Sequence, residues 1–284
     1  MADGQVRFSG QIAWDRFRLD FSGRTLVMGI LNVTPDSFSD GGLFFSIESA
    51  VTQALRMVRE GADIIDIGGE STRPGSAPVP VDEQIRRVVP VIETIARQID
   101  IPISIDTTHR PVAEGALDVG ASIINDISAL QFDPGLADLA ARTKVPVILM
   151  HMQGTPATMQ TDPHYDDVIR EIKDFLRERM AFATQHGIEE SKLILDPGIG
   201  FGKRLEDNLK ILAQIEAFYD LGRPVLVGHS RKAFLGKLTG RPAPDRDTPT
   251  LAVSAVLAER KVHLLRVHDV RATREACDIL HKLS

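Results

Sequence analysis

The sequence predicts an α/β fold, a (β/α)8 TIM barrel with an N-terminal β-hairpin extension, and three observations lead to it. Eight short, nearly continuous apolar runs recur along the 284 residues, helical patterns separate them, and the runs end on polar or charged residues. Uninterrupted aliphatic runs mark strands buried on both faces of a parallel sheet, whereas a half-solvated strand would alternate. Eight such strands close a barrel more naturally than they fill an open doubly wound sheet, and barrel enzymes place their chemistry where strands end. A single domain over residues 1–284 is expected, since barrels of about 250 residues are ordinary.

The elements follow in chain order. Residues 1–24 hold two strand-like segments, Val6 to Phe8 and Phe17 to Phe21, read as a hairpin plugging the far end of the barrel. The barrel runs are Leu26 to Asn32, Ala62 to Gly69, Ile101 to Thr107, Ala121 to Ile127, Val145 to His151, Lys192 to Gly198, Pro224 to Ser230 and Leu264 to Asp269. Ser46 is expected to cap a helix with Val51, Ala54, Leu55 and Val58 on its apolar face and Gly61 at its end. A second helix from about Val81 presents Ile85, Val88, Ile92 and Ile99, with Pro90 inside it as an expected kink. Asp166 to Gly187 and Asn208 to Tyr219 carry further stripes, the latter through Leu209, Leu212, Ile215 and Tyr219. Leu251, Ser254, Ala255 and Ala258 make a small-residue face, and Ala276, Ile279, Leu280 and Leu283 are read as the apolar face of the last helix.

Composition narrows the function classes. With 43% hydrophobic and 25% charged residues the chain is neither a disordered tail nor a disulfide scaffold. A net charge of −6 gives no overall attraction for nucleic acid, and a single cysteine, Cys277, cannot form an internal disulfide. No apolar run approaches the roughly 18 residues that cross a bilayer, and the opening residues lack a signal-peptide pattern, so a cytoplasmic protein with no membrane partner is expected.

Three familiar motifs are nearly matched and set aside. Around Gly202-Lys203, Pro197 stands where a phosphate loop needs its first glycine and Arg204 where it needs Ser or Thr. The same stretch lacks the last glycine of a dinucleotide fingerprint, and Gly228 to Lys232 lacks the second glycine of a nucleophile elbow. The eight histidines show no zinc spacing and read mostly as surface or structural residues. More informative are two long connections after the first two barrel strands, Asn32 to Gly42 and Gly68 to Ser76, because βα connections usually take about 2–6 residues.

MGILNVTPDSFSDGG (Met28 to Gly42) and GADIIDIGGESTRPGS (Gly61 to Ser76) resemble the two signatures of the dihydropteroate synthase family, pterin-binding TIM-barrel enzymes of folate biosynthesis inhibited by sulfonamides. The resemblance continues through IDT (Ile105 to Thr107), INDI (Ile124 to Ile127), LMHMQG (Leu149 to Gly154), LDPGIGFGK (Leu195 to Lys203), SRK (Ser230 to Lys232) and RVHDV (Arg266 to Val270). It implies a transferase that condenses 6-hydroxymethyl-7,8-dihydropterin pyrophosphate with p-aminobenzoate, and a homodimer. By the same resemblance, Asp106, Asn125, Asp196 and Lys232 meet the pterin's polar edge, Arg266 stacks on its ring, and Met150 and Phe201 wall it. Asn32 coordinates Mg²⁺, while Thr72, Arg266 and His268 contact the diphosphate. Phe38, Pro74, Lys232 and the backbone of Ala233 meet p-aminobenzoate, and Asp40 and Arg73 hold the first two loops together. Ala233 departs from the family, which often has Ser or Arg there.

The residue chemistry suits these roles. A pterin offers an N–H and an amino group side by side, which an ionised carboxylate such as Asp196 accepts together. Arg266 and His268 stand two apart on a strand and so point to one side. Asp126, beside Asn125, reads equally well as a cap on the next helix. Two rivals stay open: a barrel that moves a methyl group from methyltetrahydrofolate to a corrinoid protein, which would not need the long loops, and an inactive pterin-binding paralogue.

Overall fold

The structure is a computed structural model and describes residues 7–33, 42–71 and 78–283, with the side chains of residues 42–46 left aside. Two antiparallel strands, β1 (Gln11–Trp14) and β2 (Phe17–Asp20), form the hairpin. Eight parallel strands follow: β3 (Leu26–Asn32), β4 (Ile64–Gly68), β5 (Ile103–Asp106), β6 (Ile123–Asp126), β7 (Val147–Met150), β8 (Leu193–Asp196), β9 (Leu226–Gly228) and β10 (Leu264–Val267). Each falls inside the apolar run that predicts it. Strand order is β8-β7-β6-β5-β4-β3-β10-β9, and a bridge from Leu195 to Val225 closes the ring between β8 and β9.

The helices are α1 (Gly42–Arg59), α2 (Val81–Ala96), α3 (Arg110–Asp118), α4 (Gly135–Thr143), α5 (Val168–Gln185), α6 (Leu205–Ala213), α7 (Ala233–Thr239), α8 (Asp247–Glu259) and α9 (Val270–Leu283). Outward residues such as Val27, Leu31, Ile65, Ile67, Ile103 and Ile105 pack with them in one continuous core. Among the described residues no helix is long and apolar enough to cross a membrane.

The hairpin does plug the far end. Ile12, Trp14, Leu19 and Phe21 pack against the inward residues Leu26, Met28, Ile64, Ile123, Ile148, Ile194, Leu226 and Leu264. Phe21 is fully buried there. Replacing it with Ala leaves a cavity at a site fixed on all sides, and the expected loss is about 3–5 kcal/mol of unfolding free energy. Urea unfolding checks this, and a loss under about 1 kcal/mol would mean that the hairpin contributes little.

Several sequence expectations are corrected. Among the described residues the first strand is Gln11–Trp14; of the expected Val6 to Phe8 segment, Arg7 and Phe8 are not in a strand and Val6 lies outside the described residues. α1 starts at Gly42, so Ser46 lies within it and is not its cap. The Asn208 to Tyr219 stripe is broken: α6 stops at Ala213, a 3-10 segment covers Ile215–Leu221, and Leu209 faces solvent. In α9 the buried side is Val270, Thr273, Arg274 and Cys277, while Ile279 and Leu283 are exposed.

Candidate active site

Parallel register and strand alternation decide which polar residues point into the barrel. Gly68 pairs with Asp106, Asp106 with Asn125, Met150 with Asp196, and Arg266 with Gly228. Ile64, Ile123, Ile148, Ile194 and Leu264 face the plug. Residues two further along share their side of the sheet, so Asp66, Asn125, Met150, Asp196 and Arg266 form the next inward layer at the C-terminal ends.

Charge is packed tightly in this layer. Arg266 donates from Nε to Asp66 at 2.6 Å and from Nη2 to Asp106 at 2.7 Å, and Asn125 Nδ2 lies 3.2 Å from Asp66. Burial pushes the Asp106 carboxyl up to about 7, opposed by Arg266. Asp196 accepts the Gly198 N–H at 2.7 Å; burial raises its carboxyl, with Lys232 pulling the other way. Lys232 donates to the Ile199 carbonyl and holds its ammonium 4.4 Å above the Phe201 ring centroid. Burial lowers Lys232 to about 8, with Asp196 resisting. Phe201, Met150, Met152, Met159 and Ile127 make an apolar wall. The pocket floor thus sets the carboxylates of Asp66, Asp106 and Asp196 beside the donors of Arg266, Lys232 and Asn125, so that acceptors and donors for a guest's polar edge stand together.

Nearer the mouth the balance turns to donors. Ser230 Oγ lies 2.9 Å from His268 Nδ1 and accepts the His268 backbone N–H at 3.3 Å, which fixes the imidazole's direction. Arg231 adopts a left-handed φ of 56°, and Asp247 holds its guanidinium at two points, 2.6 and 2.8 Å, so the turn that carries Lys232 is rigidly placed. Asn32, Arg231 and His268 line a cavity of about 680 Å³ with Glu48, Thr52 and Gln53 of α1. Among the described residues no three His, Cys, Asp or Glu side chains converge as a metal cage. A single amide oxygen from Asn32 is still a fitting anchor for Mg²⁺, which takes most of its oxygens from phosphate and water.

A family model described as pterin binding enzyme matches residues 28–268. The dihydropteroate synthase of Escherichia coli (strain K12) is 49% identical over 254 residues, covering 89% of this chain and 90% of that protein. The chain belongs to the dihydropteroate synthase family. Among solved structures, Xanthomonas albilineans dihydropteroate synthase with 4-aminobenzoic acid superposes with a TM-score of 0.91 at 46% identity, covering 97% of this chain and 98% of that one. The Yersinia pestis dihydropteroate synthase in a sulfonamide drug complex gives 0.91 at 44% identity, covering 96% and 98%.

Of the residues that resemblance to the dihydropteroate synthase family singles out, Asn32, Asp106, Asn125, Met150, Asp196, Phe201, Lys232, Ala233, Arg266 and His268 all stand at or near the C-terminal mouth. Ala233 is the first residue of α7 and is exposed. Phe38, Asp40, Thr72, Arg73 and Pro74 lie outside the described residues. Asp126 is structural but does not cap the next helix, whose N-cap is Pro134: it faces outward and holds the turn after its strand, accepting from the Ser128 N–H and hydroxyl and from the Leu130 N–H at 2.7–2.8 Å. Sequence reasoning places Asp66 among the polar strand ends but gives it no role, although alternation from Ile64 puts it on the same inward side. It also gave Ser230 no role. His229 and His263 are structural, as expected: both are fully buried, and burial lowers them to about 4 and about 3.

Proposed function

We propose that the protein condenses 6-hydroxymethyl-7,8-dihydropterin pyrophosphate with p-aminobenzoate, giving 7,8-dihydropteroate and pyrophosphate. One observation carries this reading: Asp196, Lys232, Asp106, Asn125 and Arg266 meet in one inward layer at the strand ends, while Asn32, Arg231 and His268 at the same end of the barrel line an open cavity. A flat heterocycle with paired N–H donors and a polyanionic tail matches both parts of that arrangement. The similarity to relatives named for this reaction, one of them solved with 4-aminobenzoic acid, supports it.

Asp196 would accept the pterin's paired N–H groups, with Asn125, Asp106 and Lys232 completing the polar edge and Met150 and Phe201 the apolar walls. Arg266, whose plane is set by Asp66 and Asp106, would stack on the ring and reach the diphosphate, where Thr72 and His268 donate as well. Mg²⁺, held through Asn32 and the phosphate oxygens, would neutralise charge on the leaving group. As the bond from methylene carbon to oxygen breaks, its electron pair leaves with diphosphate, and the pterin ring carries the positive charge. Asp66, Asp106 and Asp196 stabilise that charge from below. The arylamine nitrogen of p-aminobenzoate then attacks the methylene and releases its proton. Phe38 and Pro74 would wall the arylamine ring, the first backbone N–H groups of α7 at Ala233 would meet its carboxylate, and Asp40 and Arg73 would keep water out.

Pyrophosphate release that requires p-aminobenzoate and Mg²⁺ together tests this; pterin binding with no release would leave a binding protein instead. The pH dependence follows from Lys232. Below about 8 it is charged and holds the pterin edge, and as pH rises through about 8 it loses its proton. The pterin's kcat/KM is expected to fall about ten-fold per pH unit above that point, read from a pH–rate profile; a flat profile to pH 10 would remove the ammonium from recognition.

The reading includes a cytoplasmic homodimer. Val256 on α8 and Ile279 on α9 are 47% and 59% exposed, apolar surface of the kind that pairing covers. Light scattering should give twice the 31.2 kDa chain mass, and a monomer at micromolar concentration would refute it.

A further inference from the structure

Lys203 is a buried cation that the reaction described above does not use. It is 3% exposed, and its Nζ lies 2.9 Å from the Phe201 carbonyl, 2.9 Å from His151 Nδ1 and 3.4 Å from the His151 carbonyl. Three acceptors match the three N–H bonds of an ammonium. Burial pushes its pKa well below the ordinary lysine value, with Asp196 opposing, and burial with the nearby Lys203 charge keeps His151 neutral, leaving Nδ1 free to accept.

The turn that Lys203 ends is rich in glycine. Gly198, Gly200 and Gly202 all adopt positive φ and contribute no side chains. Gly198 is packed so closely on β7 that a Cβ there would overlap the His151 carbonyl oxygen. Four neighbours hold other parts of it: Asp196 accepts the Gly198 N–H at 2.7 Å, Asn208 accepts the Gly200 N–H at 2.6 Å, Tyr165 donates to the Gly202 carbonyl at 2.7 Å and Gln160 to the Gly200 carbonyl at 2.8 Å, whereas the Phe201 carbonyl is held by Lys203. The same turn carries the Ile199 carbonyl that receives Lys232 and the Phe201 ring beneath the Lys232 ammonium.

We infer that Lys203 is a positioning residue for the pterin pocket: it pins the turn Gly198–Lys203 to the end of β7 and thereby places Phe201 and Lys232. The inference rests on the pterin-binding reading. Removing the three N–H bonds frees the Phe201 carbonyl and lets the ring and the Lys232 head drift, while the p-aminobenzoate contacts other than Lys232 lie on other elements.

The test is calorimetric binding of 6-hydroxymethyl-7,8-dihydropterin pyrophosphate together with steady-state kinetics. Lys203→Met keeps the stem's length and removes the donors; pterin affinity should fall about ten-fold or more, with KM for p-aminobenzoate rising by a smaller factor because only Lys232 is shared. Phe201→Leu and Lys203→Met should not add, because one acts through the other, and the double variant should bind within about two-fold of the weaker single one. Tyr165→Phe, which deletes one hydroxyl from the same anchorage, should cost about three-fold. Additive losses, or pterin affinity unchanged in Lys203→Met, would overturn the inference. Should Lys203→Met fail to fold, an unchanged Tyr165→Phe would overturn it. Failure of the unsubstituted protein to bind the pterin would instead sink the proposed function.

Discussion

Asp196→Asn is expected to weaken pterin binding about 100-fold, equivalent to about 3 kcal/mol, while the fold survives. One carboxylate oxygen already accepts the Gly198 N–H at 2.7 Å, so both oxygens are engaged once a pterin docks. An amide has only one acceptor oxygen. Turned toward Gly198, it presents its NH₂ to the pterin's donors; turned the other way, it sets NH₂ against the Gly198 N–H. Either orientation leaves a donor facing a donor in a site that is 5% exposed. There is a second signature. The Asp196 charge is what holds Lys232 up against the effect of burial. Neutralising it should move the alkaline limb of the pH–rate profile below about 8, and a variant with ordinary affinity and an unmoved limb would remove Asp196 from recognition.

The strands were readable because burial on both faces leaves long aliphatic runs such as Leu26 to Asn32, and their polar ends marked the mouth. Strand alternation could have extended this to Asp66, since Ile64 belongs to the plug and Asp66 stands two residues on. The helices were less legible. α3 and α4, nine residues each, present too few turns for a stripe to emerge. In α9 the apolar Ile279 and Leu283 lie on the side away from the barrel, while Thr273 and Arg274 are buried against it beside Val270 and Cys277. Arg274 reaches the Thr25 carbonyl at 3.0 Å and Asp63 at 3.4 Å, a polar contact that hydrophobic periodicity reads backwards. Lys203 escaped for a related reason: within GFGK it resembles a surface lysine, and only the fold brings His151 and the Phe201 carbonyl to its head. The motifs named the parts of the site, but the ion pairs among them needed three dimensions.

Arg266→Met is expected to lower both stability and turnover, for separable reasons. The guanidinium neutralises Asp66, which is fully buried, and Asp106, whose side chain is 10% exposed. Without it the two carboxylates face each other and Asp196 in a desolvated layer, and breaking such a buried pair costs about 3–5 kcal/mol. Asp106, already raised to about 7 by burial with the arginine present, would then take up a proton at neutral pH. The double variant Asp66→Asn, Arg266→Met separates the two effects. Its amide can still accept from Asn125, now 3.2 Å from the carboxylate, and one buried negative charge is gone. At least half of the lost stability should return in urea unfolding. Turnover should not return, because the group that covers the pterin ring and reaches the diphosphate is still missing, and its loss is expected to be about 10³-fold in kcat. A double variant that regained activity along with stability would make Arg266 a counter-ion for the barrel floor and move transition-state stabilisation to His268 and the residues around it.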